Sequence, residues 1–138
     1  MWKTVLAMFI IAHGLVHSGL AAAPNPDDSS SKPGAIFTDA ARSWLLPQLG
    51  LNASAIKWIG IGLVALSTIG FILTGLGIFG LAGLNAVWRT VAVISSCLSL
   101  LLLILFWHRW FPVGVLIDIV VLIALLGLKW PSVEMIGT

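Results

Sequence analysis

The chain has 138 residues, of which 59% are hydrophobic and only 9% are charged. A soluble domain carries about 45–50% apolar and about 25% charged residues, so seven basic and five acidic side chains cannot build an ordinary water-facing surface. The net charge of +2 is scattered, which excludes the basic patch a nucleic-acid partner needs, and the single Cys97 excludes an intrachain disulfide. The composition predicts one all-α integral membrane domain spanning residues 1–138.

Residues 4–23, behind Lys3, form the first apolar run. Twenty residues at about 1.5 Å each reach about 30 Å, enough to cross a bilayer. The positive start and Ala21-Ala22-Ala23 have the look of a signal peptide. His13 and His17 interrupt the apolar stretch, so a retained span is expected. Residues 24–55 are a polar connection, and Pro24 to Gly34 is turn chemistry throughout. In its second half Ile36, Phe37, Ala40, Ala41, Trp44 and Leu45 recur at helical spacing, opposite Asp39, Arg42 and Ser43. With Ser31 or Thr38 to cap it and Pro47 to stop it, this pattern predicts a short amphipathic helix lying in the interface. A loop anchor is the simpler role for that helix. The other role is a lid over the first span, with Arg42 turned inward.

Residues 56–79 form the second span. Ser67, Gly70, Thr74 and Gly77 follow a three-then-four spacing, with Gly60 earlier on the stripe. Small residues on one face let membrane helices approach closely, so this is read as a packing seam. After the turn at Gly80 to Asn85, residues 90–107 form the third span, where Ala92, Ser95, Ser96 and Ser99 make a second small and polar seam. Leu100 to Leu105 is expected to meet lipid. His108-Arg109-Trp110-Phe111 is a tight connection, and Pro112 is placed to start a fourth span over 113–130 that contains Asp118.

The tryptophans agree with four spans, because all seven fall at predicted boundaries, where indoles concentrate. Both termini then lie on one side. Lys3, Arg89 and Lys129 on that side against Lys32, Arg42, Lys57 and Arg109 on the other give no positive-inside bias. The signal-anchor look of the first span places the termini in the cytoplasm and the chain in the plasma membrane.

Depth along the helices brings distant residues to one level. His17 lies six residues from Ala23 and Asp118 six from Pro112, so both sit about 9 Å below the boundary nearer the long connection. Ser99 falls at about 12 Å and His13 about 6 Å deeper than His17. His13, His17, Ser99 and Asp118 therefore have the depth to line one polar cavity, with Arg42, His108 and Arg109 at its rim. Such a cluster suits a proton relay, general acid/base chemistry, or the head of a lipophilic ligand such as a quinone. His13, His17 and Asp118 are also the three side chains that could hold zinc or iron. Haem is disfavoured, because two imidazoles on one helix face cannot take opposite axial positions. The alternative is structural: Asp118 accepts from His17 and from the serine seam and pins the first and fourth helices together. One interhelical polar contact is worth about 0.6 kcal/mol and at most about 1.7. Burying an aspartate costs about 2.5–3.5 kcal/mol. A single contact does not offset the burial, which points toward a functional or partner-binding role.

His13-Gly14-Leu15-Val16-His17 in the first span, Trp88-Arg89 opening the third, and Phe106-Trp107 through Gly114 to Ile117-Asp118 form a pattern that resembles uncharacterised small four-span prokaryotic membrane proteins. More distantly the layout is similar to DoxX-like proteins, some of which are linked to quinone oxidoreductases. The resemblance implies a four-helix bundle in a bacterial or archaeal membrane, and it brings no active site to this chain. Three classes of function follow. The first is an accessory subunit of a larger membrane complex, such as an energy-transducing one, with lipids and other subunits or further copies as partners. The second is a membrane enzyme or redox protein acting on a lipophilic molecule through His13, His17 and Asp118. The third, a small oligomeric transporter, lacks the internal repeats and broken helices of such proteins. The first two differ in where the cluster points: inward to a cavity for a ligand, outward for a subunit contact.

Overall fold

The computed structural model describes residues 1–24 and 35–136. The connection over 25–34, with the candidate cap Ser31 and Lys32, lies outside the described residues. The described elements are helical: α1 (Trp2–Ala22), α2 (Ala53–Ile78), α3 (Trp88–Leu105), α4 (Pro112–Leu122), and a final turn, α5 (Val133–Ile136). There is no strand among the described residues, only an isolated antiparallel bridge between Pro24 and Ala35. α1, α2 and α3 are each long and apolar enough to cross a membrane. Their ends lie within three residues of the expected 4–23, 56–79 and 90–107. α4 is shorter. It begins at Pro112, whose missing N–H costs nothing in a first turn, and runs on through a π-helical turn, Ile123–Gly127. The π turn is tied to α3 by the Arg89 guanidinium, which donates to the Leu125 carbonyl.

The helices pack in chain order, α1 on α2, α2 on α3 and α3 on α4. Glycines set how closely they approach. A Cβ on Gly75 would stand 2.4 Å from the Ile11 side chain of α1, one on Gly70 2.0 Å from Ser95 Oγ of α3, and one on Gly77 2.6 Å from Trp88 Cβ. The small residues of α2 thus serve two neighbours. Gly70 and Gly77 of the expected seam meet α3, whereas Gly75 meets α1. Ser95 and Thr74 spend their hydroxyls on carbonyls four residues back, Val91 and Gly70. Ser67 and Ser96 are fully buried with unpartnered hydroxyls.

Residues 35–51 depart from the expected interfacial helix. Only Ala40–Arg42 is helical, a single 3-10 turn capped by Asp39, whose Oδ1 accepts from Ala41 N. The reason is packing. Ile36 and Phe37 are fully buried, and Phe37 stacks on Phe111 at 5.3 Å and meets Phe106 edge-on at 6.2 Å. Gly60 makes room for this, since a Cβ there would fall 1.8 Å from the Phe37 carbonyl oxygen. An interfacial helix would leave those apolar side chains on the surface; the folded loop instead buries them over the ends of α2 and α3. Asn52 caps α2 by accepting from Ala55 N at 2.9 Å.

Six tryptophans are exposed at helix ends, but Trp88 is 2% exposed, because it fills the space left by Gly77. Trp2 stacks on Trp130 at 6.1 Å, and Lys3 Nζ donates to the Ile136 carbonyl at 2.6 Å. The start of α1 and residues 130–136 therefore meet at one end of the bundle, the end opposite residues 35–51.

Candidate functional site

The side chains that depth alone placed at one level meet in a single buried cluster. His13 Nε2 lies 3.0 Å from Asp118 Oδ1. Ser99 Oγ lies 2.5 Å from Asp118 Oδ2 and 2.7 Å from His17 Nε2. His17 Nδ1 closes the arrangement, donating to the His13 carbonyl at 3.0 Å. Exposure is 7% for His13, 2% for His17 and nil for Ser99 and Asp118. The pairing differs from the simplest expectation. Asp118 binds the deeper imidazole, and His17 reaches it only through Ser99. Asp118 is also the one fully buried side chain of α4; Val115 and Val121 pack half-buried on the core, and Val113, Leu116, Ile119 and Val120 face outward. The helix therefore presents its single charge inward.

Local sequence explains how α1 can hold two imidazoles here. Gly14 lies between them, and a Cβ at that position would stand 2.6 Å from Phe71 Cβ. The missing side chain lets Phe71 of α2 press on both rings, edge-on to His13 at 4.9 Å and stacked on His17 at 6.0 Å. Thr68 Oγ1 donates to the Gly14 carbonyl at 3.1 Å and also bonds Ser18 at 2.9 Å. Phe71 and Thr68 were not singled out by sequence. Their signal, a phenylalanine and a threonine one helical turn apart on α2, is common in any apolar helix.

Beside the cluster lies a cleft of about 410 Å³ between α1 and α4, within the usual range of about 300–1,000 Å³ for small-molecule sites. His13 and His17 are among its walls, and the rest are chiefly carbon, from Phe9, Val16, Val113 and Ile117 among others. Phe9, Val16 and Val113 are each about half exposed or more, so the mouth of the cleft opens sideways between the helices.

Arg42 is not brought to this cleft. It is partly exposed on the 3-10 turn and lines a separate groove with Trp44, Ile104 and Trp107. Trp44 Nε1 anchors that groove by donating to the Ile104 carbonyl at 2.8 Å. His108 is buried in the α3–α4 connection, where its Nδ1 accepts from Trp110 N.

Three ligand atoms of His13, His17 and Asp118 lie within 4.8 Å of one another, and among the described residues this is the group that could hold a metal ion. Metal–ligand distances of about 2.0–2.2 Å would draw them closer. A metal held by His17 Nε2 and Asp118 would take the atoms that now contact Ser99 and His13, so metal and hydrogen-bond network compete there. The chain matches no family model, no curated protein and no solved structure.

Proposed function

We propose that this chain is a four-span plasma-membrane protein that binds a lipophilic small molecule in the cleft between α1 and α4, with His13 and His17 at the polar end of the site. The observation that carries this reading is the direction of the cluster. It turns inward to an apolar cleft, whereas a subunit contact calls for polar groups turned outward. A sideways mouth lined by Phe9, Val16 and Val113 suits a ligand that arrives through the bilayer. The exposed apolar faces of α1 and α4 suit a lipid surround. α4 with its π turn is a shorter apolar helix from Pro112 to Gly127; as the fourth crossing of the proposed four-span protein, it puts both termini on one side. A quinone couple, whose reduced quinol form carries hydroxyls, is one ligand of the right kind, in line with the DoxX-like layout.

Asp118 has two polar partners, and two such contacts reach about 1–3 kcal/mol, close to the cost of about 2.5–3.5 for burying the aspartate. Polar pairing can therefore hold Asp118 without any function, and the cleft supplies the functional case.

The test is native mass spectrometry on the protein released gently from its own membrane. The expected result is a chain of 14.7 kDa, alone or self-associated, carrying a small apolar adduct. Ala12→Trp, which fills the cleft from its wall, is expected to lose that adduct. Release with other polypeptides and no adduct would favour the accessory-subunit reading instead.

A further inference from the structure

We infer that the ligand carries a hydroxyl and donates its hydrogen to Nδ1 of His13. This rests on the ligand-binding reading above and adds the chemistry of the ligand's polar end.

Four close contacts link His13, Asp118, Ser99 and His17. The His13 carbonyl only accepts, so His17 carries a hydrogen on Nδ1. Ser99 has one hydroxyl hydrogen and two close partners. If it donates to Asp118, then His17 Nε2 must donate to Ser99, and His17 is an imidazolium beside a carboxylate. If it donates to His17, then Asp118 Oδ2 must carry the hydrogen, and both groups are neutral. These two arrangements share the same net charge of zero. They differ only in which way two hydrogens lie along Asp118, Ser99 and His17.

In both, Asp118 Oδ1 accepts, so His13 Nε2 is the donor and Nδ1 is a bare acceptor. Adding a further proton would bury a net positive charge among apolar helices, which is costly. Nδ1 has no hydrogen-bond partner among the described residues. It is not sealed in either: the fully enclosed, unpartnered side-chain atoms among the described residues are Ser67 Oγ, Trp88 Nε1 and Ser96 Oγ. His13 is 93% buried by its 7% exposure, and the open space it borders is the cleft. His17 has both ring nitrogens occupied. The cluster thus offers a guest one acceptor, on His13, against an apolar wall. A hydroxyl fits that acceptor. A carbonyl or ether would set lone pair against lone pair, and a charged head would lose its water without a counter-charge.

The test uses the full chain in lipid nanodiscs and two probes of matched shape, 4-nonylphenol and its methyl ether 4-nonylanisole, with binding read from quenching of tryptophan fluorescence. The expected result is that the phenol binds about tenfold or more tightly than the ether. His13→Phe keeps a ring of similar size and is expected to erase that preference. Equal binding of the two probes would overturn the hydroxyl inference and leave the apolar-ligand reading standing. Binding of neither probe would overturn both. Nitrogen NMR of labelled histidine gives a second reading that needs no variant. A bare Nδ1 on His13 that shifts when the phenol is added supports the inference, and an N–H at that position overturns it.

Discussion

At the residue scale, the cluster is held by a pattern of donors and acceptors rather than by a particular charge. Asparagine at position 118 can reproduce the neutral arrangement. Its amide N–H donates to Ser99, Ser99 donates to His17, and its carbonyl accepts from His13. Asp118→Asn is therefore expected to unfold at nearly the wild-type temperature in the same detergent. Asp118→Ala strands the His13 N–H and leaves Ser99 short of one partner, at about 1–3 kcal/mol for each orphaned group. If asparagine destabilises as much as alanine, then the ionic arrangement, with His17 as an imidazolium beside the carboxylate, holds the cluster. The depth of these four residues was legible in the sequence because the rise per residue of a helix is constant. Their partners were not, because a pairing depends on helix rotation. In α1, as in the other apolar helices, many residues could face inward without violating the pattern.

At the scale of the element, rotation is set by where a backbone can come close. Gly14 and Gly19 lie on the same helix, and only the first is crowded. A Cβ at Gly14 meets Phe71 Cβ at 2.6 Å, while one at Gly19 meets nothing within 4 Å. Gly14→Ala is expected to lower stability by about 1–3 kcal/mol, the usual range for overpacking. It also pushes Phe71 off the two imidazoles, so ligand binding falls with it. Gly19→Ala is expected to be neutral or to stabilise by up to roughly 1 kcal/mol through helix propensity. Thermal unfolding of both variants beside wild type decides this, and equal effects would mean that α1 does not pack on α2 through Gly14. The loop before α2 shows the reverse limit of sequence reading. The spacing of Ile36, Phe37, Ala40, Ala41, Trp44 and Leu45 is helical, yet one 3-10 turn forms. Burying Phe37 between Phe106 and Phe111 outweighs a short helix, and nothing local to residues 35–51 encodes that partner.

At the scale of the molecule, whether α4 crosses the membrane decides the topology. Leu49 precedes α2 and Ser132 follows α4, so three helices separate them. With Cys97 replaced by serine, single cysteines at Leu49 and at Ser132 are expected to react with an impermeant maleimide from opposite faces of sealed vesicles. Labelling from one face would mean that α4 does not cross.

The sequence by itself determined the helical class, the helix ends to within a few residues, and the common depth of His13, His17, Ser99 and Asp118. Apolar run length and constant rise are properties of each segment alone. The tertiary structure alone decided that His13 takes Asp118 and His17 takes Ser99, that Phe71 braces both rings, and that a cleft opens between α1 and α4. Those features depend on how the helices are turned against one another. That turn is set by close contacts such as Gly14 on Phe71 and Gly70 on Ser95, made between residues far apart in the chain.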